Sequence, residues 1–562
     1  MRPWTNKTVA LGVIGLICLI VGSLLSCTWQ LIFDGILKKE LPLTPNSRSY
    51  ELWKDTSKLP MNIDFYFFNW TNPEELRVPG KKPNFVQMGP YSFVERRVKV
   101  NIVFHPKNNT VSYDQMKYWY FDAARSNGTL QDKVVNLNTV AVSAAHTIRY
   151  WLPVMQSTLS FILTSSKIYV EKTVSELLFE GYKDEIISMS SMVASDEFEV
   201  PPFDRFGWFY MRNGSTFFDG HYNVATGQED LSELGMIKNW NYKDTTKYYR
   251  SPCNVVEGSA GEFWPPNRPK GDVISIWTAD LCRPLVYEYS EEVMYQGIKG
   301  YKYQLGGISL GNNTKRRYPH EQAKYFEKTT TTEDFFSAEL TTPSNINNNK
   351  SKNSINKEDD PDVVNIGQCF CNGECTPMGL INITACRYGA PGFVSLPHFH
   401  KADPIIRDQV VGMNPKDEEH NFYVTLEPNT GIPLDVAARL QINILLQPSL
   451  TVDFFRNVPR IYFPMFWFNF RGGTPDNLAW GLKKLLTLPS TGLYTSLAIA
   501  ILGAVLIVIV IIIQFIRTST PLTGKSRKIR EANGTKTELV YMDTTTSLDD
   551  HERSDRPLRP KD

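Results

Sequence analysis

The stretch LAIAILGAVLIVIVIIIQFI at 497–516 decides the architecture of this chain. It contains no charged side chain and no proline, and the uncharged run around it extends from Leu485 to Ile516. A helix of roughly 20 residues, rising about 1.5 Å per residue, crosses a hydrocarbon core of about 30 Å. The sequence therefore predicts a transmembrane helix over 490–516.

A second uncharged run extends from Thr8 to Phe33, near the other end of the chain. Glycines interrupt it, so the alternative to a membrane anchor is a cleaved signal peptide. The run is longer than the roughly 7–15 residues of a signal-peptide core, and no A-x-A-like cleavage site follows it. We therefore expect a second transmembrane helix over 8–33.

Three glycines of the first anchor share one helix face. Gly12, Gly15 and Gly22 lie within about 80° of one another on a helical wheel, at roughly 100° per residue. Such a small-residue face allows close approach of a second helix. The partner is either the second anchor of the same chain or, in a homo-oligomer, an anchor of another chain.

Basic residues flank both anchors on the sides of the chain ends, with the larger cluster at 517–530. Because positive charge favours the cytosolic side, both tails, 1–7 and 517–562, are predicted to be cytosolic. Residues 34–489 then form one extracellular or lumenal domain. The net charge is only +1, and no stripe of basic and aromatic residues indicates nucleic-acid binding.

Sequons for N-glycosylation support an extracellular or lumenal domain. Seven of them lie between the anchors, at Asn69, Asn108, Asn127, Asn213, Asn312, Asn349 and Asn382. Asn6 and Asn533 also match the pattern, but they lie on the predicted cytosolic side. We expect these two to stay unmodified.

Six of the eight cysteines also lie between the anchors. They are Cys253, Cys282, Cys369, Cys371, Cys375 and Cys386. An even number outside the cytosol favours three disulfides over free thiols. The alternative for CFCNGEC at 369–375 is a thiolate metal site, but the nearest histidines, His398 and His400, complete no familiar zinc spacing. We expect no metal and no cofactor.

Alternating side chains predict a mainly β domain. In 94–104 the residues Val98, Val100, Ile102 and Phe104 alternate with Arg97, Lys99, Asn101 and Val103. This is the period-2 pattern of a strand with one buried face. Residues 440–447 alternate in the same way. Further candidate strands lie at 63–70, 112–121, 300–306 and 422–428.

Two segments depart from the β pattern. Residues 141–187 are poor in glycine and include helix-compatible runs such as SAAHTIRYW and VSELLFEGY, so they are predicted to form a cluster of helices that caps the β body. The fold class is therefore α+β. Residues 312–365 hold few large apolar side chains and many Asn and Thr, and we expect a disordered insertion there.

One catalytic motif occurs in the sequence. Residues 307–311, Gly-Ile-Ser-Leu-Gly, match the nucleophile elbow G-x-S-x-G and follow a strand-like segment, but NNTKRRYPH after them does not resemble a helix start. An ecto-esterase that uses Ser309 is the alternative from another class. The chain has no phosphate loop and no HExxH motif. It favours a receptor or carrier over an enzyme, and no catalytic residue is predicted.

Several segments resemble the class B scavenger receptors, the family of the fatty acid translocase, the high-density-lipoprotein receptor and the lysosomal integral membrane proteins. They are FNWTNPEEL at 68–76, MGPYSF at 88–93, VSELLFEGYKDEI at 174–186, DLCRPL at 280–285, CFC at 369–371, SLPHF at 395–399 and MNPKDEEHNFYVTLEPNTGIPLDVAARLQINILLQP at 413–448. The last is the most specific. The insertion at 312–365 is longer than the corresponding loop of the family, and its length and asparagine content suggest an insect member.

The resemblance implies an antiparallel β-barrel with an apical helical bundle at 141–187 and an apolar tunnel that leads toward the bilayer. The ligand-binding residues that it implies at the apex are Arg149, Trp151, Phe161, Lys167 and Lys172. Leu152, Val154, Met155 and Ile162 add apolar surface nearby. The disulfides that it implies are Cys253–Cys369, Cys282–Cys386 and Cys371–Cys375.

We expect a cell-surface receptor that binds lipids, lipoproteins or lipid-bearing particles and passes fatty acid, sterol or carotenoid toward the membrane. The alternative within the family is a phagocytic receptor for bacteria or apoptotic cells. The tail lacks an acidic dileucine signal, which favours the plasma membrane over the lysosomal membrane.

Overall fold

A computed structural model describes residues 5–190, 201–317 and 363–519. Most of the predicted insertion, the sequons at Asn349 and Asn533 and nearly all of the C-terminal tail lie outside these ranges. The chain divides into two compact units. One contains the described residues up to Ser23 and from Ser496 onward, and the other runs from Leu24 to Thr495.

Two long helices and several short ones lie in the described ranges. The α-helices are α1 Asn6–Glu40, α2 Arg48–Lys54, α3 Thr139–Thr147, α4 Pro153–Ile162, α5 Glu185–Ser190, α6 Gly307–Leu310, α7 Ile366–Cys369, α8 Pro404–Arg407, α9 Asp417–His420 and α10 Asp476–Ser519. A single π-helical turn spans Glu176–Glu180.

Strands form most of the larger unit. They are β1 Met61–Trp70, β2 Phe85–His105, β3 Thr110–Phe121, β4 Lys133–Leu137, β5 Tyr169–Thr173, β6 His221–Ala225, β7 Ile237–Trp240, β8 Val273–Thr278, β9 Arg283–Tyr295, β10 Ile298–Leu305, β11 Lys315–Arg317, β12 Val363–Asn365, β13 Ile381–Asn382, β14 Gly392–Ser395, β15 Tyr423–Leu426, β16 Pro433–Leu446 and β17 Ile461–Gly473. Every candidate strand named from the sequence coincides with one of them.

The main sheet is a nearly closed antiparallel barrel. Its strand order is β7-β6-β3-β2-β1-β17-β16-β15-β10-β9-β8, with β14 also paired to β16. Ser259 closes the gap between the two edges, because it bridges Met236 beside β7 and Ile276 in β8. Closure removes the free edges of a sheet and creates an interior face and an exterior face.

The exterior of β16 carries a buried polar network. Gln441 accepts a hydrogen bond from the backbone N–H of His398 at 2.6 Å and donates to Asn443 at 2.7 Å. Asn443 in turn donates to Ser395 at 3.0 Å. The segments that follow β14 therefore cover this side of the barrel, and each buried amide finds a partner.

The sequence prediction for β2 was correct about the strand and wrong about its buried face. Val98 and Val100 are only partly buried, whereas the side chain of Lys99 between them is completely buried. The alternation of apolar and polar residues predicts that the apolar face points inward. Here the polar face points into the barrel, because its charges have partners there.

The predicted helix cluster at 141–187 is only partly helical. α3 and α4 lie in its first half, but β5 pairs with β4 in the second half. The β-branched residues around β5, Ile168, Val170 and Val174, favour a strand over a helix. The run VSELLFEGY forms the π-helical turn, which ends at Gly181 with φ +68.

The two long helices, α1 and α10, are long and apolar enough to cross a membrane. Within the smaller unit they pack directly against each other. A side chain on Gly22 would collide with the backbone of Ala500, and one on Gly503 would collide with the backbone of Leu19. The glycine face of the first anchor therefore receives the second anchor of the same chain.

Candidate functional site

The interior of the barrel has an apolar wall on β1, β16 and β17. Register pairing places Phe65 and Leu440 beside Phe468, and Ile63 and Ala438 beside Phe470, all on one face. Ala438, Phe468 and Phe470 are only partly buried although they face inward. The barrel interior is therefore not filled by its own side chains at this wall.

The wall formed by β2 and β3 is charged. The register pairs Glu95 with Trp119, Arg97 with Lys117 and Lys99 with Gln115, which places all six side chains on the interior face. The Cζ atom of Arg97 lies 4.7 Å from the ring centroid of Phe470, so the charged wall and the apolar wall meet.

Each charge on this wall has a partner. Glu95 accepts from Arg97 at 2.6 Å and from the indole of Trp119 at 2.8 Å. Asp219 accepts from Lys117 at 3.0 Å and from Gln115 at 2.8 Å. Pairing is what makes buried charges tolerable, since an ion buried without a partner is strongly destabilising.

Lys99 is the most deeply buried of these charges. Its ammonium group pairs with Glu262 and lies 5.6 Å from the ring centroid of Trp53 and 5.9 Å from that of Tyr113. Burial lowers the pKa of Lys99, whereas the carboxylate of Glu262 acts in the opposite direction. Of the two carboxylate oxygens of Glu262, Oε2 is buried and has no hydrogen-bond partner within the described ranges.

Two segments that are not part of the barrel strands place aromatic side chains in the barrel interior, against aromatic residues of β1 and β2. Residues 177–182 pair with 206–209 through backbone hydrogen bonds of 2.7–2.9 Å. Phe179 lies 5.2 Å from Phe93, and Phe209 lies 5.1 Å from Phe65, as ring centroids. We call Phe179 and Phe209 the aromatic plug.

An exposed apolar surface surrounds α4. Its members, between 64% and 87% exposed, are Tyr150, Leu152, Val154, Phe161 and Leu450. Val154 and Phe161 are seven residues apart and therefore share one face of α4. The backbone N–H of Asp453 donates to Ser160 at 3.0 Å and holds the loop of Leu450 against α4. We call these five residues the α4 patch.

The basic residues predicted at the apex differ in their surroundings. Arg149 pairs with Glu374 at 2.6 Å, and 25% of its side chain is exposed. The ammonium of Lys172 lies 4.8 Å from the ring centroid of Tyr182. Lys167 is exposed and donates to Tyr169 at 3.2 Å. Of the two aromatic residues predicted there, Phe161 belongs to the α4 patch and Trp151 is partly buried.

Ser309 does not have the surroundings of a nucleophile. The motif itself forms a one-turn helix, α6, after β10, and the described residues that follow it, 312–317, contain a strand and no helix. Ser309 is buried in α6. Its hydroxyl donates to the carbonyl of Val286 at 3.0 Å and accepts from the N–H of the same residue at 2.8 Å. Both hydrogen bonds hold α6 on β9.

Disulfides join Cys253 to Cys369, Cys282 to Cys386 and Cys371 to Cys375, which is the pairing that the family resemblance implies. The thiolates of the CFCNGEC segment are therefore not free to hold a metal. In the described residues no group of three or more His, Cys, Asp or Glu side chains is arranged to bind one.

The described sequons differ in exposure. Asn108, Asn127, Asn213 and Asn312 are exposed, and Asn382 is partly buried. Asn69 is partly buried in β1, where its carbonyl oxygen accepts the backbone N–H of Val135 at 2.8 Å. A glycan would be carried by Nδ2, so the partial burial of Asn69 is the feature that disfavours one there.

Three features of these sites were not predicted from the sequence. Lys99 and Glu262 are 163 residues apart, and no local pattern links them. Leu450 belongs to a loop far from α4 in the chain. Tyr150 was the one residue that local inspection could have found, since it lies between two predicted contact residues.

Most of the chain is similar in sequence to known proteins of one family. The model of the CD36 family matches residues 13–514. Protein peste of Drosophila melanogaster is 34% identical over 484 residues, which are 85% of this chain and 78% of that protein. Scavenger receptor class B member 1 of Bos taurus is 27% identical over 511 residues, covering 90% and 89%. Lysosome membrane protein 2 of Homo sapiens is 28% identical over 467 residues, covering 82% and 84%.

Proposed function

The chain belongs to the CD36 family, and from that premise we propose that it is a receptor of the plasma membrane that captures lipid-bearing particles and passes hydrophobic cargo through its barrel. It is a two-pass membrane protein of the scavenger receptor kind. The α4 patch is the observation that carries the proposal. Both tails are cytosolic in this arrangement, and the barrel and α4 lie outside the cell.

The α4 patch supplies the capture step. A soluble surface rarely displays several large apolar side chains together unless they meet a partner. Full burial of one such side chain contributes roughly 1.5–3 kcal/mol. Contact of a few of them with a lipid surface is therefore enough for useful affinity, and exposed Lys167 adds attraction for anionic headgroups.

The barrel interior supplies the path. Partly buried apolar side chains such as Ala438 and Phe470 give an alkyl chain a surface on which it exchanges water for apolar contact, at about 0.8 kcal/mol per methylene. The aromatic plug lies within this interior, so cargo has to displace it. No covalent step is required, and Ser309 has no part in the process.

Two charge substitutions test the capture step. Leu152→Asp combined with Phe161→Asp places two carboxylates in the patch, and we expect binding of fluorescent lipid-bearing particles to receptor-expressing cells to fall by about tenfold or more. Met294→Asp is the matched control, since Met294 is equally exposed on β9, away from the patch. Unchanged binding by the double variant, at equal surface level, would contradict the proposal.

The same cells separate the proposed role from its main alternative. A phagocytic receptor for bacteria or apoptotic cells takes up particles without preferential transfer of their lipid. We expect the labelled lipid to enter cells faster than the particle core. Equal uptake of both labels would favour the phagocytic role, and mass spectrometry of co-purifying lipid would identify the cargo among fatty acid, sterol and carotenoid.

A further inference from the structure

The charged wall of the barrel interior affects which kinds of cargo can pass favourably. A conduit for hydrocarbon alone gains nothing from ionised side chains along its path. Contact of an alkyl surface with the partly exposed side chains of Arg97 or Glu262 removes the remaining hydration of a charge and gives no hydrogen bond in return, which is unfavourable. A lipid with a polar headgroup avoids that cost if the headgroup lies against this wall.

The charges on the wall are balanced. Three cations, Arg97, Lys99 and Lys117, face three anions, Glu95, Asp219 and Glu262, in the pairs described above. A neutral headgroup leaves this balance intact. An anionic headgroup, such as the carboxylate of a fatty acid, would approach the free oxygen of Glu262 and be repelled by it.

Glu262 offers an unused acceptor at this position. Its Oε1 atom pairs with Lys99, whereas Oε2 is buried and has no hydrogen-bond partner in the part of the chain that the structure describes. A buried carboxylate oxygen without a donor is costly, and a hydroxyl group brought by a ligand would satisfy it. The rings of Trp53 and Tyr113 lie beside the ammonium group of Lys99 and are themselves buried.

We propose that Lys99 and Glu262 form a headgroup site that selects neutral lipids with a free hydroxyl over lipids that lack a donor. The hydroxyl donates to Oε2 of Glu262, and the hydrocarbon part lies on the apolar wall of β16 and β17. The site rests on the proposed function, and it adds a specificity to it. Fatty-acyl esters and hydrocarbons are disfavoured because they leave Oε2 without a donor.

Matched probes test the site in cells that express the full chain. They are a fluorescent sterol with a free hydroxyl and the fatty-acyl ester of the same sterol, presented in identical particles. We expect the wild-type receptor to transfer the free sterol about tenfold faster or more, as for a hydrogen bond to a charged group. Equal transfer of both probes would overturn the headgroup site and leave the proposed function intact.

Removing the pair as a unit tests the assignment to these two residues. Lys99→Met combined with Glu262→Leu replaces two paired charges with apolar groups of similar size, which avoids an unpaired buried ion. We expect the preference for the free sterol to shrink to within about twofold. Lys302→Met with Glu291→Leu, which removes a pair on β10 and β9 that is more exposed, should keep the full preference.

A binding measurement on the wild-type receptor tests the site even if the variant with Lys99→Met and Glu262→Leu does not reach the cell surface. The purified full-length wild-type receptor is incubated with an equal mixture of the sterol and its ester, and the retained lipid is measured by mass spectrometry. Enrichment of the free sterol is expected, and equal retention or enrichment of the ester would overturn the site. Failure of the wild-type receptor to transfer either probe would contradict the proposed function, and the headgroup site with it.

Discussion

The rings of Phe179 and Phe209 lie 5.7 Å apart, centroid to centroid, inside a barrel to whose strands neither residue belongs. Both also contact Trp119, at 5.6 Å and 5.7 Å, which connects them to the charged wall. The barrel interior is thus occupied at this point by side chains that are not part of the sheet.

Smaller side chains in the aromatic plug should speed lipid transfer. Phe179→Leu combined with Phe209→Leu reduces the obstruction at a stability cost of roughly 1 kcal/mol per residue. We expect transfer per surface receptor to rise severalfold, measured with a fluorescent lipid in particles. Phe399→Leu is the control, because Phe399 is a buried phenylalanine in the segment that follows β14, on the outside of the barrel. Equal rates in all three proteins would show that the plug is ordinary core.

Loss of either long disulfide should prevent export. The bonds Cys253–Cys369 and Cys282–Cys386 close loops of 116 and 104 residues, and each contributes about 4–5 kcal/mol in the loop-entropy model. We expect Cys253→Ser and Cys282→Ser to be retained in the secretory pathway, measured by surface labelling. Cys375→Ser removes a bond that spans only four residues, so its surface level should remain closer to normal. Normal export of both long-loop variants would contradict this.

Two stacked histidines should make the domain sensitive to acid. His398 and His420 lie 4.5 Å apart as ring centroids, and the Nδ1 atom of each accepts a backbone N–H, from Asn414 and Lys416 respectively. Burial lowers the pKa of His398 to about 3 and that of His420 to about 4. Both histidines are therefore neutral in the folded protein at neutral pH.

The sign of the pH effect follows from these values. In the unfolded chain His398 and His420 protonate near pH 6.5, whereas in the folded chain the pKa of His420 is about 4 and that of His398 is about 3. Stability from these two residues is fully present above about pH 6.5 and is lost as the pH falls toward 4, by an amount on the order of a few kcal/mol. We expect the melting temperature to fall over this range, and His420→Gln to flatten the fall. An unchanged slope in that variant would contradict the assignment.

Glycan mapping should separate exposed sequons from buried ones. We expect glycans at Asn108 and Asn127, which are exposed. Asn69 should be modified less than these two, because its side chain is partly buried in β1. Asn533 should stay bare because the proposed topology places it in the cytosol. Mass spectrometry after glycosidase treatment in labelled water gives the occupancy of each site, and a glycan at Asn533 would contradict the topology.

The features predicted from the sequence are those set by local composition. The apolar runs that became α1 and α10 and the alternation that became β2 and β16 are visible within short windows. The inward face of β2 was not predictable, because burial of Lys99 depends on Glu262, far away in the chain. Only part of the α4 patch could be predicted from the sequence. Phe161 lies in the segment 141–187 that the family resemblance assigns to the apex, whereas Leu450 is brought next to α4 only by the fold.

Transfer through a blocked barrel tests the central claim most directly. Ala438→Trp adds a large ring to the apolar wall, whereas the control, Val94→Trp, adds it to the exposed face of β2. Particle binding and lipid transfer are measured in the same cells, per surface receptor. We predict that Ala438→Trp keeps wild-type binding and loses lipid transfer by about tenfold or more, while Val94→Trp keeps both. Undiminished transfer by Ala438→Trp would contradict passage of cargo through the barrel.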